Sequence, residues 1–312
     1  MRIVLIGQAA FGQKVLEALL NRGEQVAAVY APPDKPGSKI DSLKESAQQR
    51  GIPVFQPQRM RDPAVYEKFT ELAPDLCVMA FVTDIVPESV LNAPKLGTIQ
   101  YHPSLLPRHR GRSSINWAII NGDTKTGITI LWPDAGIDTG PILLQKEVNI
   151  SPTDTVGSLY YDKLFPMGVE SIIESIDLIH KGKAPRIPQD ESQATYERPC
   201  REKDAIIDWA QPIVKIYNLI RGTNPQPGAT TSLRGQKLKI FDCELTMQAA
   251  SAAPGEIIES SDKGIDVAGQ GGRLLIKRVQ PQGQSKMSSS EYTLKVGLKV
   301  GERLERWQMM LP

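Results

Sequence analysis

Residues 97–112 hold two of the three histidines of this 312-residue chain, together with three arginines. A strand-like run ends on His102, and a turn with two prolines follows before His109. An imidazole at the end of a buried strand lies where open α/β sheets bind their ligands, and it can exchange a proton near neutral pH. A polar strand end with a solvated basic loop, carrying Arg108, Arg110 and Arg112, is an equally good interpretation of this window alone.

A second segment, residues 127–140, adds carboxylates. A strand rich in β-branched residues leads into a glycine-rich turn that contains Asp134 and Asp138. The Asp-Thr-Gly at 138–140 also occurs in aspartic proteases, but those enzymes need two such carboxylates and the chain has no second copy. The pair of segments is more specific than either one: Ser-Leu-Leu-Pro-Arg-x-Arg-Gly from Ser104, then Asp-Thr-Gly from Asp138.

The elements around these residues alternate between strand and helix patterns, which predicts βαβ units and a mostly parallel sheet. Predicted strands are 3–7, 26–30, 54–55, 75–81, 98–102 and 128–131. Predicted helices are 12–22, 42–50, 63–72, 114–120, a long one from 155 to about 181 capped by Ser151–Asp154, and 212–221. Short β-type runs at 238–241, 255–258, 264–267 and 274–279 predict a small C-terminal barrel.

Composition sets outer limits on the function. The chain is 40% hydrophobic and 23% charged with a net charge of +2, as in ordinary globular proteins and too weakly basic to indicate nucleic acid. The sequence contains no apolar run of 18 residues, so no membrane span is predicted. The three cysteines are few and widely spaced, which argues against a disulfide framework or a cysteine metal site and favours a cytoplasmic location.

The paired motifs resemble enzymes that use 10-formyltetrahydrofolate as a formyl donor. This family includes methionyl-tRNA formyltransferase, sugar-nucleotide formyltransferases and the hydrolase domain of 10-formyltetrahydrofolate dehydrogenase. The resemblance extends along most of the chain, through 2–7, 11–12, 52–55, 182–185, 193–196, 207–209, 220–222 and 254–257. It implies a Rossmann-like formyltransferase fold with an OB-like C-terminal barrel. The predicted domains are a catalytic domain 1–182, a linker 183–203 and a barrel domain 204–312.

The resemblance also implies roles for particular residues. His102 and Asp138 match the catalytic histidine and aspartate, with His102 polarising the formyl group and Asp138 ordering the water or amine. Gln100 occupies the place of an asparagine in many formyltransferases, which implies an amide donor to the formyl oxygen, with one extra methylene that changes its reach. No metal is expected. The residues implied for folate binding are Asp84, Ile85, Val86, Ser104, Leu105, Leu106, Pro107 and Asp138.

Three hypotheses for the acceptor remain open. The match at 101–111 is to the dehydrogenase hydrolase domain, so hydrolysis or transfer to an amine is favoured, without NADP-dependent oxidation since the chain stops at Pro312. Methionyl-tRNA formyltransferase is the alternative. In its disfavour, the 31–41 loop balances two lysines with two aspartates where a tRNA binder concentrates positive charge. A non-catalytic folate-binding module is the third, against which the His102 and Asp138 pair argues.

Overall fold

The apolar runs of the first half form one open sheet in the computed structural model, which describes residues 1–308. The strands of this part are β1 (Arg2–Gly7), β2 (Gln25–Tyr30), β3 (Val54–Phe55), β4 (Leu76–Ala80), β5 (Thr98–His102), β6 (Arg110–Gly111), β7 (Lys125–Leu131) and β8 (Ile142–Asn149). Seven of them pair in the order β3-β2-β1-β4-β5-β7-β8. The first five are parallel, and β7 runs antiparallel to β5.

Amphipathic segments supply the helices. They are α1 (Ala9–Asn21), α2 (Ser42–Gln49), α3 (Pro63–Glu71), α4 (Glu88–Leu91), α5 (Ser114–Asn121), α6 (Val156–Ser158), α7 (Phe165–His180), α8 (Ile213–Gly222) and α9 (Ser289–Val296). Side chains of α3 and α4 join those of β1, β2 and β4 in one apolar core, which includes Phe69 and Val90. Burying these faces provides the main favourable free energy for this part of the fold.

The later strands form a second sheet. They are β9 (Tyr196–Glu197), β10 (Ala229–Leu233), β11 (Gln236–Thr246), β12 (Ile257–Ser261), β13 (Gly264–Gly269), β14 (Gly272–Pro281), β15 (Met287–Ser288) and β16 (Leu304–Glu305). Apart from β9, they pair as a curled antiparallel half-barrel in the order β12-β13-β14-β11-β10-β16, with β15 on β14. The predicted class, α/β with a small C-terminal barrel, is confirmed.

Chain contacts divide the molecule into two units. The first comprises Met1–Gly111, Thr126–Val148 and Tyr161–Tyr196, and the second comprises Arg112–Lys125, Asn149–Tyr160 and the chain from Glu197 onward. Each unit is thus assembled from three stretches of sequence. The predicted bounds at 182 and 204 stay a prediction, and the last four residues of the predicted barrel domain lie outside the described residues.

The long helix predicted from 155 to 181 is wrong in its first third. A short α-helical turn is followed by a π-helical stretch, Leu159–Leu164, and regular α-helix begins only at Phe165. Pro166 explains the position of this change, because proline has no N–H to continue the α-helical ladder. The cap is Thr155, whose hydroxyl accepts the N–H of Ser158 at 3.2 Å. The sequence patterns did not predict strands β8 and β10.

No helix within residues 1–308 has both the length and the apolar composition that crossing a bilayer requires.

All three cysteines are free thiols. Burial raises the pKa of Cys77 to about 12 and that of Cys200 to about 11, and it raises the pKa of Cys243 as well. A raised thiol pKa leaves little reactive thiolate at pH 8. We therefore expect iodoacetamide at pH 8 to alkylate the native protein at least about tenfold more slowly than the urea-unfolded protein, as measured by intact mass. Rapid labelling of native Cys77 or Cys243 would contradict this prediction.

Candidate active site

The site lies at the edge of the first sheet where three parallel strands end. Gly7 of β1 is in register with Ala80 of β4, and Met79 of β4 is in register with Gln100 of β5. The loops that follow β4 and β5 therefore leave the sheet side by side. Ligand sites of open α/β sheets form in the crevice outside the carboxyl ends of such strands.

His102, the last residue of β5, is only 5% exposed. Its Nε2 lies 2.8 Å from the carbonyl oxygen of His109. A carbonyl can only accept a hydrogen bond, so Nε2 must carry a hydrogen and donate it. The other ring nitrogen, Nδ1, lies 3.5 Å from Oδ2 of Asp138. The structure thus brings together the two residues that the sequence nominated, and Nδ1 is the ring atom on the side of the carboxylate.

Asp138 is held by two further donors. The side-chain amide of Gln100 donates to its Oδ1 at 2.7 Å, and the backbone N–H of Gly111 donates to its Oδ2 at 2.8 Å. Hydrogen bonds to a carboxylate are stronger than neutral ones, and together they fix the orientation of the group. Gln100 therefore contributes to the site by orienting Asp138. Its predicted role as a donor to the formyl oxygen stays a prediction.

Two residues of the site have left-handed backbones. The φ angle is +57° at His109 and +56° at Asp138. Histidine and aspartate tolerate this region better than most non-glycine residues. Such conformations still cost on the order of 1–3 kcal/mol each and persist only where the surrounding structure enforces them.

The loop at 104–107, assigned to folate by resemblance, is fastened to the sheet by Thr129. The Thr129 hydroxyl donates to the Ser104 carbonyl at 2.7 Å and accepts the N–H of Leu106 at 3.1 Å. Ser104 and Leu106 are buried, whereas Leu105 and Pro107 are half-buried. These hydrogen bonds hold the loop against the sheet, and its accessible surface comes mainly from Leu105 and Pro107.

The loop at 82–86, the other predicted folate segment, is ordered by Asp84. Its carboxylate accepts the N–H groups of Met60 at 2.8 Å and of Ile85 at 2.9 Å. Val86 is buried, and the side chain of Ile85 is 75% exposed. A cavity of about 190 Å³ lies beside this loop, with Gly7 and Phe81 among its lining residues.

Sequence reasoning missed the part of the site that surrounds Arg110. A solvated position is wrong for this arginine, whose side chain is fully buried. Gln189, which no motif singled out, joins Arg110 to the Asp-Thr-Gly turn. No local signal marks either role, because their partners lie some 50 to 80 residues away along the chain. Within residues 1–308, no group of three histidine, cysteine or acidic side chains could hold a metal ion.

The chain thus combines an open α/β sheet, a contact between His102 and Asp138 beside the end of β5, and a curled antiparallel sheet. The formyl transferase family model matches residues 1–175, and the model of the formyl transferase C-terminal domain matches residues 200–296. The chain therefore belongs to the formyl transferase family, as the motifs predicted.

Two kinds of relative share sequence with this chain. The cytosolic 10-formyltetrahydrofolate dehydrogenase of Mus musculus is 42% identical in an alignment of 309 residues that covers 94% of this chain and 34% of the dehydrogenase. This chain thus spans about a third of the length of such relatives. A methionyl-tRNA formyltransferase of Geotalea daltonii is 37% identical over 312 residues, covering 97% of this chain and 99% of that protein.

Solved structures support the fold. HypX from Aquifex aeolicus, in complex with tetrahydrofolic acid, superposes with a TM-score of 0.70 at 19% identity, covering 97% of this chain and 48% of HypX. An N-formyltransferase from Helicobacter canadensis, with folinic acid and dTDP-3-aminofucose, also gives 0.70 at 21% identity, covering 90% and 99%. At such low identity, these likenesses establish the fold alone.

Proposed function

We propose that this chain takes the formyl group from 10-formyltetrahydrofolate and passes it to water or to an amine. The observation that carries the proposal is the contact between His102 Nδ1 and Asp138 Oδ2 at the end of β5. Both side chains are nearly buried; His102 ends the parallel strand β5, and Asp138 lies in the turn after β7, which runs antiparallel to β5. Family membership supports the reaction class, and this pair offers the acid and base groups that the reaction needs.

Formyl transfer makes three demands on the protein. The formyl oxygen needs stabilisation as it gains negative charge, the attacking water or amine must lose a proton, and the departing folate nitrogen must gain one. Nε2 of His102 donates to His109, so Nδ1 is the ring nitrogen left for the formyl oxygen, and it donates a hydrogen bond there when the ring is in the imidazolium form. Asp138 can order the attacking group and accept its proton. For water as acceptor, a carbon–oxygen bond forms, the proton that Asp138 takes from the water passes to the folate nitrogen, the carbon–nitrogen bond breaks, and formate and tetrahydrofolate leave with the second water proton released to solvent.

The Nδ1–Oδ2 separation fits this division of work. At 3.5 Å it exceeds the usual hydrogen-bond range of about 2.7–3.2 Å for nitrogen and oxygen. The direct contact is therefore weak, and both groups retain capacity to interact with a bound substrate. Because Gln100 and Gly111 hold the carboxylate independently, Asp138 would keep its place if His102 turned to the substrate.

The proposed folate site lies between the 82–86 and 104–107 loops. Large apolar side chains are exposed in or next to the 82–86 loop and beside Asp138, with exposures of 47% for Phe81, 75% for Ile85 and 60% for Ile137. Such apolar surface is suited to a flat heterocycle, with a few polar groups giving orientation. Crystals soaked with tetrahydrofolate should show the ligand there, and density at another place would contradict this assignment.

Methionyl-tRNA formyltransferase is a second candidate, favoured by one observation. The Geotalea daltonii enzyme is 37% identical to this chain and matches 97% of it. Against it stands the charge of the predicted tRNA-facing loop. Asp34 forms an ion pair with Lys44, and Asp41 caps α2 through the N–H of Leu43 at 2.9 Å. Both aspartates of that loop therefore make contacts that stabilise the local structure.

The barrel's basic side chains are also compensated. Six cations could have formed a basic stripe on the C-terminal sheet, and five of them form ion pairs with carboxylates of the second unit. The pairs are Arg234 with Glu302, Lys237 and Lys239 with Glu202, Arg273 with Asp266, and Lys277 with Glu244. The sixth, Arg278, lies in register with Asp242. A phosphate backbone would have to compete with these carboxylates for each cation.

We therefore expect weak or no tRNA binding at physiological salt. Affinity for nucleic acid comes largely from phosphate neutralisation, with a slope of about −0.9 in log affinity per log salt for each phosphate on duplex. A gel shift with charged initiator tRNA at about 0.15 M salt tests this expectation. A tight complex, together with formylated methionyl-tRNA as product, would favour the second candidate instead.

The deciding experiment is an assay of tetrahydrofolate release from 10-formyltetrahydrofolate. It is run with water alone, with a panel of amines and sugar amines, and with charged initiator tRNA, and formate and formylated product are both quantified. Release with water or with an amine supports the proposal. Release only with tRNA identifies the second candidate, and binding without release under all conditions identifies a non-catalytic folate module.

A further inference from the structure

Arg110 lies at the centre of a saturated hydrogen-bond network in the first unit. Its side chain is fully buried, and all five of its N–H groups have acceptors. Nε and Nη2 donate to Oε1 of Gln189 at 3.1 and 2.8 Å. The remaining donors go to the Glu191 carboxylate at 2.6 and 2.9 Å and to the Tyr196 hydroxyl at 2.7 Å. With its donors occupied and no exposed surface, Arg110 is not placed to bind an anion.

Gln189 carries this network to the Asp-Thr-Gly turn. Its side-chain nitrogen donates to the backbone carbonyl of Asp138 at 2.9 Å and to that of Gly140 at 2.7 Å. Since its oxygen accepts two hydrogen bonds from Arg110, the whole hydrogen-bonding capacity of the amide is used. The amide therefore has one satisfied orientation, and a reversed one would place its oxygen against two carbonyls.

The backbone next to Arg110 touches both members of the pair. The carbonyl of His109 accepts from His102, and the N–H of Gly111 donates to Asp138. The Arg110 side chain between them donates to Gln189, whose side-chain nitrogen donates to the main-chain carbonyl of Asp138. The tripeptide 109–111 thus contacts both side chains. The backbone of Asp138 is left-handed, a conformation that the surrounding structure must support.

We infer that Gln189, clamped by Arg110, is a positioning residue that sets the distance between Asp138 and His102. The inference rests on the proposed function for its kinetic consequence, since it assigns Asp138 a part in the reaction. It goes beyond that function by placing a determinant of turnover in the 187–196 segment, which contributes no side chain to the acid–base pair.

The test compares two variants of Gln189 with a matched control. Gln189→Leu removes both donors, and Gln189→Glu keeps the size while placing an acceptor against two carbonyls. Gln193→Leu, an exposed glutamine in the same segment whose amide reaches only Ser192, is the control. We expect kcat for formyl release to fall about tenfold or more in both Gln189 variants, while KM changes less than about threefold. Gln193→Leu should match the parent protein.

A second background separates positioning from general stability. In Asp138→Asn protein, loss of Gln189 should cost no further activity, because the group it positions no longer functions as a carboxylate. Equal losses in the two backgrounds, or near-normal kcat in both Gln189 variants, would overturn the inference.

A structural measurement keeps this result distinct from failure of the proposed function. The ¹⁵N chemical shifts of the imidazoles are measured for the parent, Gln189→Leu and Gln193→Leu proteins, and with three histidines the His102 signals can be assigned by substitution. We expect the His102 Nδ1 shift to change in Gln189→Leu only. If the parent protein released no folate, the proposed function would fail, yet an unchanged His102 shift in Gln189→Leu would separately refute the positioning role.

Discussion

Replacing either His102 or Asp138 with alanine should lower the rate of formyl release by about 10²–10⁴-fold, the usual loss for a positioned acid or base. His102→Ala removes the imidazole whose Nδ1 is proposed to donate a hydrogen bond toward the formyl oxygen. Asp138→Ala removes the carboxylate that lies 3.5 Å away and is held by Gln100 and Gly111. Single-turnover measurement of tetrahydrofolate release gives both rates.

The two losses should not add. When two groups act as a unit, removing the second after the first costs little more. The double variant should therefore be about as slow as the slower single variant. Exposed matched residues, His180→Ala and Asp62→Ala, should retain parental turnover and melting temperature. Turnover near the parental value in either His102→Ala or Asp138→Ala would show that the roles are assigned wrongly.

The positions of His102 and Asp138 at the ends of elements could be predicted from the sequence because their signals are local. His102 ends an apolar strand and Asp138 lies in a glycine-rich turn just after another, so each position follows from short-range patterning. Their meeting does not follow from strand direction, because β7 runs antiparallel to β5, and it is the 132–140 turn that brings Asp138 back to His102. The resemblance added the chemistry, which no periodicity could supply.

The surroundings of the pair could not be predicted in the same way. Arg110 stands among prolines, glycine and other arginines, a pattern typical of a solvated loop, and only Gln189, Glu191 and Tyr196 make its burial affordable in free energy. Those partners come from a stretch whose composition indicates a linker. The same limit applies to Gln100, because its contact with Asp138 depends on how the 132–140 turn folds back.

That turn contains the second residue for which we expect a large effect, Gly140 of the Asp-Thr-Gly motif. A Cβ atom at Gly140 would lie 1.8 Å from the carbonyl oxygen of Trp132 and 3.3 Å from the nitrogen of Asp134. The two arms of the turn therefore cross at a distance that only glycine allows. Trp132 is anchored there by its N–H, which donates to the Pro141 carbonyl at 2.9 Å. A clash with main-chain atoms cannot be relieved by a side-chain rotation.

Gly140→Ala should consequently displace the turn and Asp138 with it. Overpacking of this kind costs about 1–3 kcal/mol of stability, and a misplacement near 1 Å costs about 10²-fold in rate. We expect a lower melting temperature by calorimetry and a loss of at least about 10²-fold in formyl release. The control is Ala135→Ser, an exposed position in the same turn, which should change neither quantity. If Gly140→Ala kept parental turnover, Asp138 would not depend on the crossing of these two arms, and the geometric account of this turn would fail.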